Sequence, residues 1–517
     1  MALDKRQLPA DPISTAVSPI ADQTPDEQPT ADHPHANTRR MSRNFIALIV
    51  GQVIAKGLAV ISNVYLARVL GAEYFGVVTF AMTILTYPEL IVNAGFSRLG
   101  PREVVRDPKP ESVRRLVRAV ITIRLALSFV AFAVMALVVV LLPETSDIGK
   151  RTIILYGIYF FFVVIDLSWV FLGNEAMHFV SLAEIVMQLV TVIGTLVLIR
   201  QPEDLPLVAI IYLSAQLSSI GMLFMLYVRR YGMPGIGTPK AIWQPLAKAA
   251  LPLAITRSMA TVNLNFDSLL VGLVMSSYAT GQYGAAYRFI WVPSILIVMY
   301  FNAVTPAFDR AHLTGLQSIQ ALLDRSVRLT GAVGLGIAVA GTILAPEVFN
   351  LVFGAEYHDA VLPFQILIWA TALLFVNRNF RTLLISFDKQ HANLRLTFLS
   401  AGTNILLNLV LIPRYGLPGA AFATVAAESI NLVLSYLYVH ELVGHVPLGR
   451  HLPKLGAAGV ILASVLFTLL NQPLITQIVV GVVVYAGCVL VLRIVPLEDV
   501  LSLVRAWIPH RKAPAEA

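Results

Sequence analysis

Charged residues are scarce in this chain: Asp, Glu, Lys and Arg make up 13% of its 517 residues, about half the share of an average soluble protein. With 57% hydrophobic residues as well, most side chains must face lipid or one another. The single cysteine, Cys488, excludes an intrachain disulfide and a cysteine metal centre. Sitting in an apolar run, it reads as a small packing residue. The sequence has no Gly-x-x-x-x-Gly-Lys-Ser/Thr phosphate loop, no His-Glu-x-x-His and no Gly-x-Ser-x-Gly, and the connections between its apolar runs are too short for a catalytic domain. ATP-driven transport and membrane-bound hydrolysis are therefore not expected, and neither is an enzyme, a cofactor or a metal centre. The net charge of +8 does not imply a nucleic-acid partner, because Lys and Arg of membrane proteins collect in cytoplasmic loops.

What the chain does have is long apolar runs. A helix crossing bilayer hydrocarbon needs about 20 mostly apolar residues. About fourteen such runs occur, beginning near 44, 74, 117, 152, 178, 206, 248, 281, 326, 360, 391, 416, 454 and 474. The expected fold class is an all-α integral membrane protein. Residues 1–43 carry scattered Pro, Asp, Thr and Gln and end in Arg39, Arg40 and Arg43, a disordered tail with a basic stop and no signal-peptide pattern. With that tail inside, 29 of the 38 Lys and Arg fall in cytoplasmic segments and five in external loops. Both termini are thus expected in the cytoplasm.

Residues 229–247, with Pro234, Gly235, Gly237 and Pro239, read as an internal linker. They divide an N-lobe of helices 1–6 (44–228) from a C-lobe of helices 7–12 (248–440), followed by helices 13 and 14 (441–494) and a cytoplasmic tail (495–517). The hairpin Leu70-Gly-Ala-Glu-Tyr-Phe-Gly76 is echoed by Ala279-Thr-Gly-Gln-Tyr-Gly284, and Tyr415-Gly-Leu-Pro-Gly419 opens the twelfth run in a similar way. A transporter of two six-helix lobes is the architecture this organisation suggests.

Several stretches carry a family resemblance. Leu66-Ala-Arg-Val-Leu-Gly-Ala-Glu-Tyr-Phe-Gly76, with Asn93-Ala-Gly-Phe96 and a basic loop after it, resembles the N-terminal hairpin of bacterial polysaccharide flippases of the Wzx type. These belong to the multidrug/oligosaccharidyl-lipid/polysaccharide exporter superfamily. Asp166-Leu-Ser-Trp169 running to Gly173-Asn-Glu-Ala-Met177, Leu351-Val-Phe-Gly-Ala-Glu-Tyr357 and Ile412-Pro-Arg-Tyr-Gly-Leu-Pro-Gly-Ala-Ala421 follow in the family's order. The resemblance implies two bundles around a central cavity, with helices 13 and 14 outside. It also implies alternating-access movement of an undecaprenyl-pyrophosphate-linked oligosaccharide between leaflets of the bacterial inner membrane, for lipopolysaccharide or exopolysaccharide biosynthesis. Membrane lipids, a polysaccharide polymerase and export machinery, and a driving H+ or Na+ are the partners it brings with it.

Charged groups deep in a bilayer are functional candidates by default. Lys56 shares one side of the first helix with Gln52 and Asn63, Arg257 shares an arc with Thr261 and Asn265, and Arg288 lies in the eighth helix. Together they are expected to line a cationic cavity for a pyrophosphate and sugar hydroxyls, Arg by forked contacts and Lys as a point charge. Arg124 reads as an anchor at the cytoplasmic interface. Glu89, followed by Asn93 and Ser97, and Asp267 are the candidates for ion coupling. A cation-coupled drug exporter, a peptidoglycan-precursor flippase and a membrane glycosyltransferase or polymerase are the competing readings. An acidic apolar cavity would favour the first, and a long extramembrane loop the last.

Overall fold

The computed structural model describes residues 34–141, 146–444 and 448–496. Among them, every regular element is helical, as lipid requires of a spanning chain that must satisfy its own backbone groups. The elements are α1 (Pro34–Asn93), α2 (Phe96–Arg106), α3 (Pro110–Val140), α4 (Asp147–Gly157), α5 (Tyr159–Val163), α6 (Ser168–Gly173), α7 (Met177–Leu198) and α8 (Leu205–Tyr231). After them come α9 (Lys240–Val274), α10 (Ser277–Thr314), α11 (Leu316–Val352), α12 (Val361–Ser386), α13 (Gln390–Val443), α14 (Leu448–Thr468) and α15 (Leu474–Val491).

Ten helices among the described residues are long and apolar enough to cross a membrane. Two of these are hairpins. The chain reverses inside α1 at Gly71 (φ 71°) and inside α13 at Gly416 (φ 61°), where glycine takes the positive φ without a side-chain clash. The run expected as the fourth span is α4, α5 and α6 end to end, interrupted near 158 and at 164–167. That run and α9 (Lys240–Val274) are not among the ten.

Two expected boundaries need correction. Helix α1 starts at Pro34, so residues 34–43 are helical and not part of a disordered tail; proline is favoured at the first helical position, where its missing N–H costs nothing. Residues 1–33 and 497–517, the rest of the two expected tails, lie outside the described residues. The linker is also shorter than 229–247: α8 runs to Tyr231 and α9 begins at Lys240. Only 232–239 is non-helical, the stretch where Gly232, Gly235 and Gly237 all take positive φ.

In the expected division, helices α1–α8 belong to the first lobe and α9–α13 to the second. The start of α9 leans on the first lobe, with Ala250 in its core and Leu246 and Leu253 against it. The lobes touch at the turns 68–76, 275–281 and 352–360, here called the hairpin end, and also where Gly95 faces Ala250 O. The opposite, basic end carries Arg98, Arg102, Arg106, Arg114, Arg115 and Arg118. Helices α14 and α15 dock on α11 through His451 Nε2 to Asp324 Oδ1 (2.8 Å) at the basic end and Gln477 Nε2 to Glu347 Oε2 (2.7 Å) at the other.

Candidate functional site

The first-lobe site is built around the break between α5 and α6. A break leaves backbone carbonyls without helical partners, and here Arg124 of α3 supplies them. Its guanidinium donates to Val163 O (3.1 Å) and Asp166 O (2.8 Å), and to Asn93 Oδ1 (3.1 Å). Arg124 is 1% exposed, so it is not the interface anchor its place in the sequence suggests; the sequence does not reveal that the facing helix is broken. Asn93 in turn donates to Glu89 Oε1 at 3.0 Å, which realises the expected i, i+4 pair. Asp166 accepts from Ser168 N (2.9 Å) and so starts α6.

Arg257 of α9 is exposed and lies within electrostatic reach of Glu89. Lys56, also exposed, acts instead on Glu184 of α7. Neither cation closes an ion pair of 4.0 Å or less among the described residues. Gln52 and Asn63 are half-buried, and Asn63 spends its amide on Ala59 O (2.7 Å). Thr261 accepts at its carbonyl from Asn265 (3.0 Å), so two of the expected polar neighbours are occupied locally. Arg288 points across the lobes, its Cζ 5.9 Å from the centre of the Phe75 ring, and its Nε is buried without a hydrogen-bond partner. The three expected cations thus lie at separate points: Arg257 within electrostatic reach of Glu89, Lys56 of Glu184, and Arg288 against Phe75.

Asp267 belongs to the second lobe. It is 2% exposed and its Oδ2 accepts from Tyr283 Oη (2.8 Å), Tyr287 Oη and Thr424 Oγ1 (3.3 Å), while Oδ1 takes Ser268 N (2.7 Å). These are hydroxyls from α10 and α13 gathered on one carboxylate of α9, with no cation among its hydrogen-bonding partners. A carboxylate at this depth is a candidate ion site.

Two cations escaped the sequence reading because they fall near the end of an apolar run and look like loop residues. Arg378 is exposed on α12 with its Cζ 6.0 Å from the Phe301 ring centre. Arg381, one turn on, donates to Asn393 Oδ1 (2.9 Å) and Thr397 Oγ1 (2.7 Å). Their spacing of three on a helix that continues to Ser386 is the only signal the sequence holds. Between α11, α14 and α15 lies a cavity of about 390 Å³ walled by Leu329, Val333, Leu462, Val482, Tyr485 and Val489.

The sequence profile of the family described as "Polysaccharide biosynthesis protein" matches residues 41–312. A Shigella dysenteriae protein named as an O-antigen transporter is 22% identical over 70% of this chain and 91% of its own length. One from Escherichia coli strain K12 is 22% identical over 78% and 98%. Among solved structures, the lipid II flippase MurJ superposes with a TM-score of 0.70 at 15% identity, covering 86% of this chain and 98% of that one. An inward-facing multidrug resistance MATE family transporter gives 0.61 at 14%, covering 77% and 98%. At these identities the structural likeness establishes the fold.

Proposed function

Since the chain belongs to the polysaccharide biosynthesis protein family, as a flippase of the multidrug/oligosaccharidyl-lipid/polysaccharide exporter superfamily, we propose that its cargo is an undecaprenyl-pyrophosphate-linked oligosaccharide repeat unit. It carries this unit from the cytoplasmic to the periplasmic leaflet of a bacterial inner membrane by alternating access. The observation that carries this reading is the exposure of Lys56 and Arg257 on helices that otherwise cross an apolar medium. In this reading both cations face a wet interior, as a charge at that depth requires, and a pyrophosphate is the anionic group of such a substrate that two separated cations suit. The same surface is a poor match for a cationic drug.

A lipid-linked cargo also has a long apolar tail that never needs to leave hydrocarbon, and the apolar cavity beside α14 and α15 supports a seat for it outside the charged interior. Glu89, tied to Arg124 through Asn93, and Asp267, ringed by hydroxyls, are the groups through which H+ or Na+ would drive the cycle. The basic end is the cytoplasmic one in this reading, by its Arg content. A polysaccharide polymerase and export machinery would then take the glycan on the far side.

The experiment is genetic. Deleting the gene should make a lipid-linked oligosaccharide accumulate in the cytoplasmic leaflet, identifiable by mass spectrometry after extraction. Unaltered lipid-linked pools together with normal surface glycan would overturn the reading.

A further inference from the structure

The Gly-Ala-Glu-Tyr sequence occurs twice, at 71–74 and at 354–357, and the two copies meet where the lobes touch. Gly71 and Gly354 share a backbone conformation, φ 71° with ψ 172° and φ 98° with ψ 172°. Each opens a turn that puts a helix end of its own lobe within reach of a charge from the other. Arg68 of the first lobe donates from Nε to Val352 O (2.7 Å) and from its other guanidinium nitrogen to Leu351 O, capping the last carbonyls of α11. Glu356 of the second lobe accepts from Ala72 N (2.8 Å), the first N–H of the helix that follows Gly71. A cation on a C-terminus and a carboxylate on an N-terminus are the two favourable charge-to-helix pairings, and here each is made across the lobe boundary.

Behind these contacts the lobes touch backbone to backbone. A Cβ on Gly76 would stand 1.7 Å from Ser277 O, and one on Gly281 would stand 1.9 Å from Ala72 O, so no other residue fits at either position with the lobes together. Tyr357 Oη donates to Ala67 O (2.9 Å) beneath them, fully inside. Gly76 and Gly281 belong to the two hairpins whose sequences echo each other.

We infer that Arg68 and Glu356 form a reciprocal latch over a glycine-paired gate, and that they position the lobes by holding the hairpin end shut while the basic end is loaded. The inference rests on the alternating-access reading and adds the groups that decide which end is closed. Both latch side chains are exposed, so water screens them and each contact is weak. A contact that must break in every cycle has to be weak.

The gate is read by labelling, without substrate, in membrane vesicles of both orientations carrying full-length protein with Cys488→Ser. Thr79→Cys and Thr280→Cys are the reporters; Thr79 lies against Gly284 of the other lobe and Thr280 is 2% exposed. The probe is a membrane-impermeant maleimide applied at the hairpin face. Neutralising one latch residue, Arg68→Gln or Glu356→Gln, should speed labelling about two- to fivefold, the scale of one charge at a helix end. The pair together should give about tenfold, and Gly281→Ala at least as much, because its methyl keeps the lobes apart. Arg68→Lys, which retains charge, should fall between. Rates within twofold of the parent in both the double variant and Gly281→Ala, at normal protein amounts, would overturn the latch. A mistaken glycan assignment would leave the labelling result unchanged, so the two failures are distinguishable.

Discussion

Arg124 and Asn93, 31 residues apart, are joined by a 3.1 Å hydrogen bond that links the broken segment of the first lobe to its candidate coupling carboxylate. One arginine holds two backbone carbonyls and the asparagine that in turn holds Glu89. Replacing it with Leu should take this donor from Asp166 O and Asn93 Oδ1 and remove a neighbouring cation from Asp166 and Glu89, with Arg257 still within reach of Glu89. Losing one partner of such a buried network costs about 3–5 kcal/mol. Arg124→Leu should therefore be scarce in membranes and melt early in detergent, with Arg124→Lys intermediate. Normal amounts of Arg124→Leu would show that the break needs no support.

A second prediction follows from Trp169, 1% exposed, whose ring leaves no room for a side chain at position 100. A Cβ on Gly100 would stand 2.3 Å from Trp169 Cε3. Gly100→Ala should cost about 1–3 kcal/mol by overpacking. Trp169→Phe should recover part of that in the double variant, a coupling of about 0.5–3 kcal/mol measurable by thermal melting. Strict additivity would mean that the two residues do not bear on each other.

Much of this was legible in the sequence, and the reasons for the rest are physical. The all-helical, membrane-spanning character follows from apolar length alone, and the reversals at Gly71 and Gly416 from glycine at short turns. Glu89 with Asn93 was legible because i, i+4 spacing is local. What stayed hidden depends on contacts between distant segments. Arg124 looks like an anchor until the helix facing it is seen to be broken, Arg378 and Arg381 look like loop residues until α12 is seen to continue past them, and the repeated Gly-Ala-Glu-Tyr acquires meaning only when the copies touch.

Asp267 separates structural from coupling roles. Asp267→Asn keeps an acceptor for Tyr283 and Tyr287 and removes the charge, so protein amount should be normal while ion-driven transport is lost. Asp267→Leu orphans the hydroxyls, each a buried group costing about 1–3 kcal/mol, and should lower abundance as well. Transport by Asp267→Asn at the parent rate would remove this carboxylate from the coupling mechanism.

Sidedness rests on the Arg-rich loops. Reporter fusions at residues 108 and 238 should be active in the cytoplasm, and fusions near 147 and 356 on the opposite side. An outward report at 238 would be incompatible with two lobes of six crossings each.

The central claim is that exposed cations carry a pyrophosphate-linked glycan across the membrane, and its most direct measurement is flipping by the purified protein in liposomes. Lipid-linked oligosaccharide loaded in one leaflet is scored by its exposure to a sugar-cleaving enzyme outside. The parent should expose the glycan at a rate well above empty liposomes. Lys56→Ala and Arg257→Ala should each fall to near background at unchanged protein amount, and Arg257→Lys should recover part of the rate, because lysine keeps the charge without the forked geometry. Parent-like flipping by both Lys56→Ala and Arg257→Ala would contradict the account.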